Sequence, residues 1–183
     1  MEESLRGKLL IAGPTLLDPN FARTVVLIAE HTEEGAMGLV LNRPAETLID
    51  EAVPDLDWMA TDDARVWVGG PVAETAVIVL AEFDRPDLAG ALVEGDLGFV
   101  GADADQPAQL DGAIRRARVF AGHAGWGPGQ LEDELAEEAW IIEPPTRDEI
   151  FTADPDELWA SVLRRKGHRY ALLATMPPDP SLN

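Results

Sequence analysis

The sequence contains no cysteine, only two lysines (Lys8 and Lys166), three serines (Ser4, Ser161 and Ser181) and a single tyrosine. Without cysteine there is no thiol nucleophile, no zinc–thiolate site and no iron–sulfur cluster, in keeping with a reducing compartment. None of the serines stands in a G-x-S-x-G elbow, so a serine triad has no sequence support. His31, His123 and His168 show neither H-x-x-x-H nor H-E-x-x-H spacing, so no zinc site and no cofactor is expected. Long apolar runs are missing as well. Stretches such as "AVIVLA" at 76–81 fall far short of the ~20 residues of a membrane helix. The opening "MEESLRGKLLIAGP" has two glutamates where a secretory signal is basic, and Gly13-Pro14 interrupts its apolar run. The expectation is a cytoplasmic protein with no membrane contact.

Acid is abundant. Thirty-four acidic residues against fourteen basic ones give a net charge of −20, a field that repels nucleic acids and anionic membranes. Twelve of the fourteen basic residues are arginines, which predicts structural ion-pair partners in so acidic a chain. Acidic pairs such as Asp62-Asp63 and Glu137-Glu138 read as solvated surface. Asp103-Ala-Asp105 resembles the start of a calcium loop, but Pro107 occupies the place of the third ligand.

At 183 residues, with no repeat and no long linker, the chain reads as one domain spanning 1–183. Apolar runs at 8–12, 24–30 and 35–42 predict buried strands, the last two forming a hairpin around Glu33-Glu34-Gly35. Thr47 is the expected N-cap of a short helix interrupted by Pro54. Residues 65–72 and 74–83 read as strands around a Gly-Gly-Pro turn, 97–101 as a short strand and 140–143 as another. "RRARVFAGHAGW" is a strand entering a glycine-rich loop over 122–130. Leu131, Leu135 and Ala139 at i, i+4, i+8 mark an amphipathic helix after it. A last helix has Asp154 as N-cap, Pro155 in its first turn, basic residues in its last turn and Gly167 at its end. The class is mixed α/β.

The loop around "GHAGWGPGQLEDE" has phosphate-loop glycines but no G-K-[ST] ending, Pro128 removes a donor, and Glu132, Asp133 and Glu134 would repel phosphate. The reading is a structural loop pinned by a buried Trp126, with His123 as packing or solvated imidazole. The basic runs Arg115-Arg116-Arg118 and Arg164-Arg165-Lys166…Arg169 suit structural roles in a strand and at a helix C-terminus.

The stretches 12–44 ("AGPTLLDPNFARTVVLIAEHTEEGAMGLVLNRP"), 68–72 ("VGGPV"), 122–140 ("GHAGWGPGQLEDELAEEAW") and 180–183 ("PSLN") together resemble the YqgE/AlgH family of small bacterial cytosolic proteins. The resemblance implies a single domain whose mixed, mainly antiparallel sheet curls toward a barrel, with helices packed around it. It also brings a transcriptional-regulator label, but no agreed activity, cofactor or catalytic set. The family pattern falls on Asp18, Pro19, Asn20, Phe21, Arg23, Thr24, Gly38, Asn42, Arg43, Pro44, Gly69, Gly70, Pro71, Gly125, Trp126, Gln130, Leu131 and Glu134. His123 departs from it, standing where the family commonly has tyrosine.

Arg23, Asn42, Arg43, Gln130 and Glu134 either converge in a bonded structural network, the expected outcome, or floor a ligand pocket. Arg23 or Arg43 is expected to bond a carboxylate inside the domain. The leading reading is a non-enzymatic regulatory or interaction protein that acts indirectly on transcription through an unidentified protein or small-molecule partner, without direct nucleic-acid binding. The alternatives are a DNA-binding regulator, and a binding module or enzyme for a small anion or polar metabolite. That module would use Asn20, Arg23, Asn42, Arg43, His123, Trp126 and Gln130; no catalytic or metal-binding residue is assigned.

Overall fold

The computed structural model describes residues 3–59, 65–101 and 110–178. The Asp62-Asp63 pair, the Asp103/Asp105 stretch and the closing 180–183 lie outside them. Ten strands form one sheet: β1 (Leu9–Ala12), β2 (Val25–Thr32), β3 (Gly35–Val40), β4 (Pro44–Leu48), β5 (Arg65–Val68), β6 (Val72–Phe83), β7 (Ala91–Glu94), β8 (Leu97–Phe99), β9 (Ile114–Trp126) and β10 (Trp140–Glu143). The main path runs β10-β1-β2-β3-β9-β6-β8-β7, so the sheet is open, with β10 and β7 as its ends. Among the described residues there are five α-helices: α1 (Ile49–Ala52), α2 (Gln130–Ala136), α3 (Arg147–Ile150), α4 (Pro155–Lys166) and α5 (Arg169–Leu173). None is long and apolar enough to cross a membrane.

The continuous apolar runs are strands covered on both faces, as such runs require. Leu9, Ile11, Val25 and Leu27 pack against Leu158, Trp159, Val162 and Leu163 of α4. Leu10, Ala12, Val26 and Ile28 pack on the opposite face against Trp126, Leu131 of α2 and Trp140. β2 and β3 form the expected hairpin, Thr32 facing Gly35 across Glu33-Glu34.

Three local expectations change. The N-cap of α1 is Leu48 rather than Thr47, because β4 continues to Leu48 before the chain turns. Asp154 caps α4 by position only: its side chain makes no capping bond, and its N–H donates to Thr152 Oγ1 instead. The third change is larger. The glycine-rich loop is strand up to Trp126, since Ala124, Gly125 and Trp126 pair with Gly38, Met37 and Ala36 of β3.

β9 is the axis of the sheet. Its first part pairs with β6, Phe120 and Ala121 pair in parallel with β5, and its end joins β3. The strands flanking the Gly-Gly-Pro turn therefore do not pair with each other; β9 lies between them. A Cβ at Gly69 or Gly70 would collide with the backbone of Gly122 or His123, which accounts for both glycines.

Candidate functional site

Asp18 begins the first cluster by bonding its own turn: Oδ1 accepts from Asn20 N at 2.8 Å, and its carbonyl accepts from Phe21 and Ala22. Asn20 itself is exposed. The turn delivers Arg23 in the left-handed region, at φ 57°, just before β2 begins. Such a conformation costs an L-residue roughly 1–2 kcal/mol, so the surroundings must hold it. Asn42 does so from the bend that follows β3. Its Nδ2 donates to Arg23 O at 2.9 Å and its Oδ1 accepts from Val25 N at 3.1 Å.

The Arg23 guanidinium lies 4.2 Å above the Trp159 ring and donates to Met176 O at 3.1 Å. Arg43 donates to Ala22 O at 3.2 Å. Among the described residues neither arginine has a carboxylate within 4.0 Å, which corrects the expected ion pair. Carbonyls and an indole face take the place of the acid, and Asp18 acts on Arg43 only at longer range. Burial lowers the pKa of Arg43, with Asp18 opposing the shift.

The second cluster is a hub. Glu134 Oε2 accepts from Trp126 Nε1 at 2.9 Å and from Trp140 Nε1 at 2.8 Å, while Oε1 accepts from Gln130 Nε2 at 3.0 Å. Gln130 Oε1 in turn accepts from Gly127 N at 3.0 Å. Trp126 is 6% exposed, and its ring packs with Phe21 and Trp140, the three centroids 5.8–6.3 Å apart. Phe21 joins this hub to the Asp18 turn. His123 stays outside it, half-buried on β9 opposite Val72, with Nδ1 near Ala124 O. The structure thus groups Asn20, Arg23, Asn42 and Arg43 at one corner and Trp126 and Gln130 at the hub, and separates His123 from both.

The arginine clusters find their acids. Glu82, 5% exposed, takes Arg115 and Arg116; Arg115 also reaches Asp84 and Asp96, Arg116 reaches Asp148, and Arg147 adds a bond to Asp96. Burial raises the Asp96 pKa, but the bonds from Arg147 and Arg115 win and hold it below the usual carboxylate range. In the second run Arg164 pairs with Glu157, Arg165 with Glu143 and Glu149, and Lys166 with Glu143. Arg118 also stacks 3.9 Å over Trp67.

Some partners lay beyond sequence reasoning. Trp140 was legible only as a strand residue. His31 accepts from Leu5 N on Nδ1 and bonds Glu132 through Nε2 at 2.7 Å, and that bond lowers the Glu132 pKa. No local spacing announces either. A groove of about 530 Å³ opens between α2, β10 and α5, lined by Leu135, Glu138, Trp140, Lys166, Arg169 and Tyr170 among others. None of the candidate ligand residues lines it.

The family model described as AlgH-like (DUF179) matches residues 9–171. A UPF0301 protein of Streptomyces coelicolor is 42% identical over 186 residues, covering 98% of this chain and 96% of that protein. A UPF0301 protein of Chlorobaculum tepidum is 40% identical over 182 residues, covering 97% and 95%. Among solved structures, the crystal structure of a Corynebacterium diphtheriae protein matches with a TM-score of 0.85 at 28% identity, covering 96% of this chain and 94% of that one. The solution structure of the AlgH protein from Pseudomonas aeruginosa matches with a TM-score of 0.70 at 32% identity, covering 97% and 98%.

Proposed function

The chain belongs to the AlgH-like family, and from that premise we propose that it is a non-enzymatic cytosolic interaction protein, influencing transcription indirectly through a partner. The observation that supports this most is the use made of its polar family residues. Asn42, Gln130, Trp126 and Glu134 spend their bonding groups on the chain itself, closing β2, β3, β9 and β10 around one aromatic cluster. Residues bonded in this way serve a surface by holding it rigid, and rigid surfaces suit partner recognition.

Direct action on DNA is disfavoured by charge. The chain carries −20, and the basic run at 164–166 already pairs with Glu157, Glu143 and Glu149. Phosphates would have to displace those carboxylates before any counterion release could favour binding. Fluorescence anisotropy with random and promoter duplexes at ~0.15 M salt, where exposed charges are screened beyond ~8 Å, is expected to show no binding. Saturable, sequence-selective binding at nanomolar protein would make a DNA-binding regulator the better reading.

One observation favours a second reading, a small-anion or polar-metabolite module. Arg43 is partly desolvated, its pKa is lowered, and it holds a single carbonyl rather than an acid. An anion entering beside Asn20, Arg23 and Arg43 would supply the missing charge. A thermal-shift screen of anionic metabolites separates the two readings: a hit whose stabilisation disappears in Arg43→Gln supports the module.

A further inference from the structure

The groove meets the sheet at its edge. Among the described residues β10 is the outermost strand on its side and pairs only with β1. Ala139 O accepts from Gly13 N toward β1 at 2.7 Å, whereas Ile142 O accepts from Lys166 Nζ at 3.1 Å on the other side. In an antiparallel ladder, alternate residues direct their N–H and C=O to opposite edges. Trp140 and Ile142 therefore turn theirs away from β1.

The groove touches Trp140, Ile141 and Ile142, which are consecutive in the chain. Successive side chains of a strand point to opposite faces, so a cavity on one face would meet only alternate residues. Trp140 and Ile142 pack with the α2 face and Ile141 with the α4 face. The cavity accordingly runs along the strand edge, between a wall on each face of the sheet.

Those walls differ in charge. On the α5 side Lys166 Nζ and Arg169 Cζ lie 4.9 and 5.0 Å from the Tyr170 ring, with Leu173 beside them. Arg169 donates to the Tyr170 hydroxyl at 3.1 Å. Unlike Arg164, Arg165 and Lys166, it has no carboxylate within 4.0 Å among the described residues. On the α2 side stand Leu135, Glu137 and Glu138. Glu138 occupies a left-handed position, φ 58°, where Glu138 N bonds Leu135 O and Ala139 N bonds Glu134 O. That is the helix-end position where glycine costs least, yet a charged side chain is kept there on the groove wall.

Resting on the interaction-protein reading above, we propose that this groove receives an extended peptide segment of a partner protein, added as a strand on β10. Its acidic side chains face Lys166 and Arg169, and the alternate, apolar or basic side chains face Leu135, Glu137 and Glu138. Backbone bonds to Trp140 and Ile142 supply affinity and the two walls supply the period-2 selectivity, the physics of strand addition. Lys166 guards the edge as lysines commonly do and yields Ile142 O to the incoming N–H, which keeps the complex weak and reversible.

The test uses the full chain and a capped peptide, Lys-Glu-Val-Glu-Lys-Glu, against a capped peptide of the same composition ordered Lys-Lys-Glu-Glu-Glu-Val. The alternating peptide is expected to bind at least about tenfold more tightly, and to slow amide exchange at Trp140 and Ile142. Arg169→Glu is expected to weaken it about tenfold. Ile142→Pro removes an outward N–H while leaving the β1 ladder to Ile141 and Glu143, and is expected to abolish binding; Ile142→Ala, which keeps the N–H, retains it. Should Ile142→Pro fail to fold, the exchange data on the unmutated chain decide. Equal binding of the two peptides, full binding by a folded Ile142→Pro, no binding at millimolar peptide, or protection elsewhere each overturns the groove assignment. Protection elsewhere would still leave the interaction-protein reading in place, whereas an anionic metabolite hit abolished by Arg43→Gln would count against that reading alone.

Discussion

β9 is pinned at both ends by a carboxylate, and the two pins are built from different chemistry. At its C-terminal end Glu134 accepts from the neutral donors of Trp126, Trp140 and Gln130, inside an aromatic cluster. At its N-terminal end Glu82 accepts from the cations Arg115 and Arg116, which also reach Asp84, Asp96 and Asp148 nearer the solvent. The first pin draws its strength from apolar burial, with hydrogen bonds to orient it. The second draws on charge, and is open to salt and pH in a way the first is not. An acidic chain with few cations can hold its sheet both ways because it concentrates its arginines where a buried acid needs them.

Breaking the aromatic pin should cost most. Trp126→Ala removes a buried indole, one donor to Glu134 and two ring contacts, and is expected to lose ~3–5 kcal/mol, lowering Tm by roughly 6–20 °C in a calorimetric scan. A drop of a degree or two would mean the indole is not part of the core. Breaking the ionic pin comes next. Glu82→Ala leaves Arg115 and Arg116 without their buried partner, and denaturant titration is expected to show a loss of about 1–3 kcal/mol, below that of a fully buried pair because both guanidinium groups reach solvent and Asp84, Asp96 and Asp148 still neutralise them. The loss should shrink in high salt, while that of Trp126→Ala should not.

Acid sharpens the comparison. The folded Asp96 carboxyl titrates below its unfolded value of ~3.9, so its contribution is present above that pH and disappears as pH falls through the lower folded value. Asp96→Asn should therefore be less stable than the unmutated chain at neutral pH, and the gap should close on acidification below ~4. A gap that stays constant down to low pH would show that Asp96 is not held by Arg147 and Arg115. The smallest effect has the opposite sign. Glu138→Gly relieves a left-handed glutamate at the end of α2 and should stabilise the fold by about 0.5–1 kcal/mol.

The strands were legible where one segment sufficed. Leu9–Ala12 and residues 25–29 are apolar runs buried on both faces, Trp140–Glu143 is a short apolar run half-buried at the sheet edge, and α4 carries its proline start and glycine stop in plain view. The misread segment was 122–126, where glycines and a histidine suggest a loop. Pairing with β3 overrides that local preference: a Cβ at Gly35 would collide with the Trp126 carbonyl, so glycine there lets the two strands meet, and Trp126 locks the end. The family residues of the candidate site were legible as a set, yet not their partners. Arg43 meets a carbonyl at Ala22, and Arg116 meets Glu82 across |i−j| of 34, contacts that only the folded sheet creates. The β10 groove was invisible for the same reason: its walls come from three separate parts of the chain.

The position of β9 also governs how the chain emerges during synthesis. β1, β2 and β3 can form a three-stranded meander early, but the edge of β3 awaits residues 124–126 and the edge of β1 awaits residues 140–143. At ~5–20 residues per second, both edges stay open for several seconds or more on the ribosome. A nascent chain stopped before residue 120 would therefore present two unpaired apolar strand edges at once; the order of translation makes β9 the segment that closes the first and β10 the one that closes the second.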